Sequence, residues 1–451
     1  MIGIVVSRAD SASVHIGERL RELADWETAV DDERPDADGG GVVRRTEGVE
    51  LREFDDLHLE LEGVAAAFDD LEFVAFASRH AGDTGPLLTA HVTGNFGRAE
   101  FGGVDGGLAT AAPNAMARVL GALDEHAPAG YDVGLECTHH GPSHVGAPSM
   151  FVELGSDEPQ WSDPAGARAV ARAILDLRGV AAGRERTVVG LGGGHYAPRF
   201  TRIARETEWA VGHVASDWQL EALGDPAANR GTLDRAFAAS DAELAVLDGD
   251  RPAVASAVEA LGYRIVSESW LRATESVPLS LVASIEDELR PVEDGVSFGP
   301  PAREGSDYEV VDLPSGLLDA AAAVDPDGTV EAVVDHVVAV ETEEDGNRLG
   351  ARAAIPTAAT TVGVLPRGAL DGLVSILERA HDAVSVDGTV VETRERAFDP
   401  ALAAARGVPE GPAFGRLAAG EPVEVDGEVV APESVHRERV DHHPLDPGSG
   451  R

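Results

Sequence analysis

The chain has 451 residues, 80 of them acidic and 36 basic, for a net charge of −44. Every basic residue is an arginine, and no lysine occurs. Hydrophobic residues (43%) fall in regular blocks, which excludes simple disorder.

The single cysteine, Cys137, excludes a disulfide framework and a cysteine-rich zinc module. No apolar run approaches the roughly 20 residues that span a bilayer. The composition is that of a soluble, cytoplasmic protein with two or three domains. Its acidic skin suits molar salt, where charge repulsion is screened over about 3 Å.

Ile2–Val6 reads as a strand and residues 11–25 as a helix with Ser11 as N-cap. The stretch DDERPDADGGG (31–41) is a polar, glycine-rich loop. Strands are predicted over 73–77 and 87–92, and a helix over 113–126 with proline in its first turn. Two further strands, 131–136 and 150–154, flank a histidine-rich loop. Helix 163–178 leads to strand 187–191, which runs into Gly-Gly-Gly-His. In WAVGHVASDW the His213/Asp217 spacing fits a helix face better than a histidine and its orienting carboxylate. Helix 252–261 and strand 263–267 complete the pattern.

This alternation predicts an α/β layered domain with a mixed or mostly parallel sheet over residues 1–285. EDELRPVEDGVSFGPPAREGSD (286–307) is charged and rich in proline and glycine, and it reads as a linker. Residues 286–451 are then an acidic C-terminal extension of unassigned role.

Histidines recur where these strands end. His80 follows FVAFAS, His91 lies near the end of LLTAHV, His139, His140 and His144 follow YDVGLE, and His195 follows VVGLGGG. Open α/β sheets bind ligands outside the carboxyl ends of their strands, so these imidazoles are expected to converge. Two chemical uses compete. His80, His91, His139, His144 and His195 can supply zinc ligands, with an open position for water. Alternatively a histidine acts as general base while backbone N–H groups stabilise an oxyanion.

His139, His140, His195 and Glu136 are the candidate catalytic residues. Glu153 on the following strand is a weaker one. Asn95, the glycine turn Gly192, Gly193 and Gly194, and Arg199 are candidates for substrate binding. The turn lacks the third glycine of a dinucleotide fingerprint, because His195 stands in its place.

SRHAGDTGPLLTAHVTGNFG (78–97), ECTHHGPSH (136–144), FVELGSDEPQW (151–161) and GLGGGHYAPRFT (190–201) occur in a telling order. Together they resemble the archaeal and plant type of D-aminoacyl-tRNA deacylase, from residue 1 to about 280. The resemblance implies a phosphorylase/peptidyl-tRNA hydrolase-like core and zinc dependence. Its substrate would be tRNA charged with a D-amino acid, whose ester bond is hydrolysed in chiral proofreading. Residues 407–435 are similar to a short segment of tRNase Z-type ribonucleases, but the HxHxDH metal motif of those enzymes is absent.

Two other readings stay open. One is a metal-free hydrolase or nucleoside-phosphorylase-like enzyme on the same core; the other is a non-catalytic tRNA-binding protein. With a charge of −44, RNA recognition must rest on a local arginine patch, stacking and pocket shape. Arg98, Arg199, Arg202 and Arg205 are the candidate contacts. A backbone wall at Gly192–Gly194 or Gly141–Pro142 would exclude the L-isomer by clash.

Overall fold

A computed structural model describes residues 1–446, which divide into two compact units between Arg272 and Ala273. In the first unit, β1 (Ile2–Ser7) is followed by α1 (Ser11–Leu23), β2 (Glu27–Asp31), β3 (Gly41–Thr46) and β4 (Val49–Phe54). Then come β5 (Phe73–Arg79), β6 (Leu87–His91), α2 (Pro113–His126), β7 (Asp132–Leu135), β8 (Ser149–Gly155), α3 (Glu158–Trp161) and α4 (Pro164–Leu175). These strands form one sheet in the order β2-β3-β4-β1-β5-β8-β6-β7.

Strands β4, β1, β5 and β8 run parallel, whereas β6 and β7 run against β8. β1 and β8 are buried along their whole length, as strands covered on both faces are. Phe76 and Phe151 stack beneath the site with ring centroids 4.5 Å apart. Burying each of them stabilises the sheet by roughly 1.5–3 kcal/mol.

A second sheet follows in the same unit. It contains β9 (Thr187–Gly192), β10 (Ala210–Ala215), β11 (Leu244–Asp248) and β12 (Arg264–Ile265), all parallel in the order β10-β9-β11-β12. Its helices are α5 (Pro198–Glu206), α6 (Asp217–Leu223), α7 (Arg230–Ser240) and α8 (Pro252–Ala260).

The chain after β7 joins the two sheets. Glu136 N–H donates to Ala90 O (3.1 Å), Cys137 N–H to His195 O (2.7 Å) and Thr138 N–H to Val214 O (2.7 Å). His213 on β10 secures this junction, with Nδ1 2.9 Å from Thr138 Oγ1 and Nε2 2.8 Å from Ala109 O. Complete burial pushes its imidazole down to about 4. His213 is therefore a neutral structural tie.

Several local expectations are corrected. Asp10, not Ser11, caps α1, its Oδ1 accepting from Ala12 and Ser13 N–H. Residues 27–54 fold into three strands whose charged residues hid the strand pattern. Buried Arg52 there answers Glu50 and Asp31, each at 2.6 Å. His213 and Asp217 share no helix face, because β10 ends before α6 begins; Asp217 pairs with Arg251 instead. The strand predicted over 263–267 shrinks to Arg264–Ile265.

Residues 286–307 are not a bare linker. They contain the strand Val296–Phe298 and the short helix Pro300–Arg303. That strand belongs to an antiparallel four-stranded sheet with Ala339–Glu343, Arg348–Pro356 and Tyr308–Asp312 in the second unit. Leu317, Val340, Leu370 and Leu373 form part of that unit's core. Residues 407–435 pack around a small separate core that includes Val408, Leu417, Val423 and Val435.

Candidate active site

Glu153 lies on β8, His80 directly follows β5, and His91 is the last residue of β6. Because β6 runs against β8, His91 reaches the site from the opposite direction to His80. The register pairs Thr89 with Glu153 and His91 with Phe151. Side chains two residues apart share a sheet face, so His91, Phe151 and Glu153 project together. The strand-end rule thus accounts for His80 but not for His91.

Two buried carboxylates organise the imidazoles. Glu136 Oε1 lies 3.0 Å from His80 Nδ1, and Glu136 Oε2 lies 2.8 Å from His195 Nε2 and 3.7 Å from His139 Nε2. Burial alone would push the Glu136 carboxyl up, but His195 and His80 hold it well below its usual range. For His195, burial works the other way; hydrogen bonds to Cys137 and Glu136 overcome it and push the imidazole up to about 10. Glu153 Oε1 is 3.5 Å from His91 Nε2, and burial raises the Glu153 carboxyl.

Three donor sets lie close enough to share an ion: His91–His139–His140, Cys137–His139–His195 and His80–Glu136–Glu153. The first set has the clearest preparation. Each Nδ1 faces a backbone carbonyl, His91 to Val92 O (3.2 Å), His139 to Cys137 O (2.8 Å) and His140 to Gly141 O (2.7 Å). An Nδ1–H donated in this way fixes the tautomer and leaves Nε2 with a free lone pair.

His91 Nε2 is buried and faces Glu153 Oε1 at 3.5 Å without a well-formed hydrogen bond; burial would lower this imidazole, but Glu153 outweighs it and raises it. Burial, reinforced by His91, pushes His139 down to about 3, and burial keeps His140 well below its ordinary value. Both are then neutral, the form in which histidine binds a metal. His140 also holds a left-handed φ of +54°, which costs a non-glycine residue roughly 1–2 kcal/mol.

The cluster opens into a pocket of about 340 Å³ lined by His80, His139, His140, His195 and Glu153, with Leu57, Leu59, Phe101 and Phe151 as apolar wall. Asp10, His58, Ser78 and Arg79 also face it. Sequence reasoning missed Arg79 and Phe101 and ranked Glu153 low. Arg79 and Glu153 are embedded in strands, and Phe101 lies in a glycine-rich loop without a motif.

Not every expected residue arrives. His144 is exposed, and its backbone N–H donates to Glu62 Oε2 (2.6 Å); it joins none of the donor sets. Asn95 is buried and donates to Gly102 O (3.0 Å), bracing the loop that follows it rather than lining the pocket. Gly192 and Gly193 have φ of +101° and +81°. A Cβ at Gly192 would lie 2.2 Å from Asp248 O and one at Gly193 2.5 Å from Asp248 Oδ2.

Those glycines therefore serve the close approach of β9 to β11. Neither they nor Gly194 line the pocket. Gly141 packs on Gly103, and it is likewise absent from the pocket wall. Arg199 donates to Leu247 O (2.9 Å) and lies 3.6 Å from both Asp248 and Glu268. Arg202 pairs with Glu268 and Arg205 with Asp124, each at 2.6 Å.

Comparison with known proteins decides the family. The sequence is 53% identical to a D-aminoacyl-tRNA deacylase of Halorubrum lacusprofundi, over 99% of this chain and 97% of that one. The chain belongs to the D-aminoacyl-tRNA deacylase family. The family profile itself matches residues 67–266, which hold every member of the histidine cluster. A deacylase of Natronomonas pharaonis is 52% identical over 97% of this chain and 99% of its own, so the likeness continues through the second unit.

The crystal structure of a conserved protein of unknown function aligns with a TM-score of 0.54 and 31% identity, covering 60% of this chain and 96% of that one. Among the described residues of this family member, no helix is long and apolar enough to cross a membrane.

Proposed function

We propose that this chain hydrolyses the ester joining a D-amino acid to the 3′ end of tRNA, releasing the amino acid and free tRNA, with zinc as its metal. The observation that carries the reading is the set of three converging imidazoles, His91, His139 and His140, beside a pocket, in a chain of this family. Carbonyl-oriented imidazoles, with His139 and His140 held neutral by burial, suit a borderline-soft ion. These three residues would hold it. When bound, zinc polarises a carbonyl and makes water more acidic near neutral pH.

The chain's own groups manage the protons and the geometry. Glu136 stays ionised and fixes His80 and His195 through one hydrogen-bonded carboxylate. Glu153, raised by burial and facing the pocket, takes a proton from the attacking water and returns one to the departing ribose oxygen. Leu57, Leu59 and Phe151 supply an apolar wall for the amino-acid side chain. The opposite stereoisomer would direct its side chain away from that wall, and exclusion of this kind tolerates many D-residues.

Release of amino acid from matched D- and L-tyrosyl-tRNA by the purified protein in molar KCl tests the reading. Turnover of the D-substrate with little on the L-substrate is expected. Absence of any turnover on the D-substrate would overturn it.

A further inference from the structure

The described residues contain three exposed aromatic side chains, Phe101 (64% exposed), Trp218 (45%) and Tyr196 (37%); Phe101 lines the candidate site and the other two lie against its histidines. Phe101 lines the pocket beside His139, His140 and His195. Trp218 lies nearly parallel to the His195 ring, 6.3 Å between centroids, and the Tyr196 hydroxyl is 3.3 Å from His80 Nε2. The other exposed large hydrophobic side chains are all valine or leucine. Such a concentration around one pocket, in a chain with only 5% aromatic residues, points to a ligand with flat faces.

The cations tell a matching story. Arg199, Arg202 and Arg205 are already committed to carboxylates. Arg79 lines the pocket and makes no ion pair with a carboxylate among the described residues. Its guanidinium lies 5.2 Å from the centroid of the Trp161 ring, and the Trp161 indole N–H donates to His80 O (2.9 Å). A positioned, unneutralised arginine in a chain of charge −44 fits a single phosphate better than a phosphate track.

We infer that Phe101, Tyr196 and Trp218 form the platform on which the unpaired bases at the 3′ end of the substrate RNA stack, with Arg79 taking a phosphate between them. This rests on the deacylase reading above and names how that substrate is held. Stacking is tolerant of sequence and does not depend on counterion release, so it keeps its strength in molar salt.

The test uses the full chain in molar KCl with two readouts. The first is binding of the free trinucleotide cytidyl-cytidyl-adenosine, followed by fluorescence. The second is KM and kcat on D-tyrosyl-tRNA. Phe101→Ala and Trp218→Ala should each weaken trinucleotide binding and raise KM, roughly five- to a hundred-fold, with kcat within about two-fold. Phe101→Trp should restore both, and Phe101→Leu should not. Truncating an exposed side chain leaves no cavity, so folding is preserved.

Unchanged trinucleotide affinity and unchanged KM in both alanine variants would overturn the platform. Trinucleotide binding that depends on Phe101 and Trp218, in a protein that leaves D-tyrosyl-tRNA intact, would uphold the platform and reject the deacylase reading.

Discussion

His139 and His144 stand five residues apart in one loop, yet their substitutions should differ sharply. His139 joins two of the three donor sets, so His139→Ala should lower kcat roughly 10²- to 10⁴-fold. The exposed His144 should tolerate alanine with turnover within about two-fold. Steady-state kinetics of the two variants checks this, and equal losses would contradict it. Acid stability is a second residue-scale consequence. Burial lowers His58 and His213 from 6.5 to about 4, so each folds as neutral imidazole. Their contribution is complete above pH 6.5 and is lost as pH falls from 6.5 towards 4, about 3 kcal/mol each. Urea unfolding across that window at fixed KCl should be linked to proton uptake, and His213→Gln should lower that uptake by about one proton. The clustered histidines were legible because imidazole stands out at strand ends and in the loop after β7, although the placement of His91 rests on the antiparallel β6 and not on the strand-end rule. Glu153 and Arg79 were not, since acid and arginine are common throughout this chain and only the sheet register shows which ones face inward.

The glycine turn after β9 shows how an element can look functional while serving its neighbours. Gly193 combines φ of +81° with Asp248 Oδ2 only 2.5 Å from where a Cβ would stand. Gly193→Ala should therefore destabilise the fold by roughly 1–2 kcal/mol or more, measured by urea unfolding in molar KCl. A neutral substitution there would show that the turn relaxes freely. Elements with clean apolar periodicity, such as α2 and the buried strands β1 and β8, were readable from sequence. The β2–β4 region was not, because its strands satisfy buried charges with one another: Arg52 with Glu50 and Asp31 breaks the hydrophobic alternation that marks a strand. The reversed direction of β6 was equally invisible. Antiparallel insertion depends on which neighbours pair, and His91 owes its place in the site to that choice.

Across the whole molecule, a net charge of −44 should make the fold depend on screening. Thermal unfolding should shift upward as KCl rises from ~0.1 M to ~3 M, where the Debye length shrinks below about 3 Å. A melting temperature that ignores salt would contradict adaptation to molar salt. All the candidate site residues fall in the first unit, Met1–Arg272. A solved protein matched over 96% of its length by 60% of this chain shows that a chain of about that size exists by itself. A chain stopped after Arg272 is accordingly expected to fold and to keep hydrolysis. An unfolded or inactive product would show that the second unit is needed. The most direct test of the central claim is amino-acid release from D- and L-tyrosyl-tRNA by the full chain in molar KCl, before metal stripping, after it, and after zinc is restored. The D-substrate should be cleaved and the L-substrate spared, with activity lost on stripping and regained with zinc. Equal rates on the two isomers, or full activity in the metal-free protein, would contradict it.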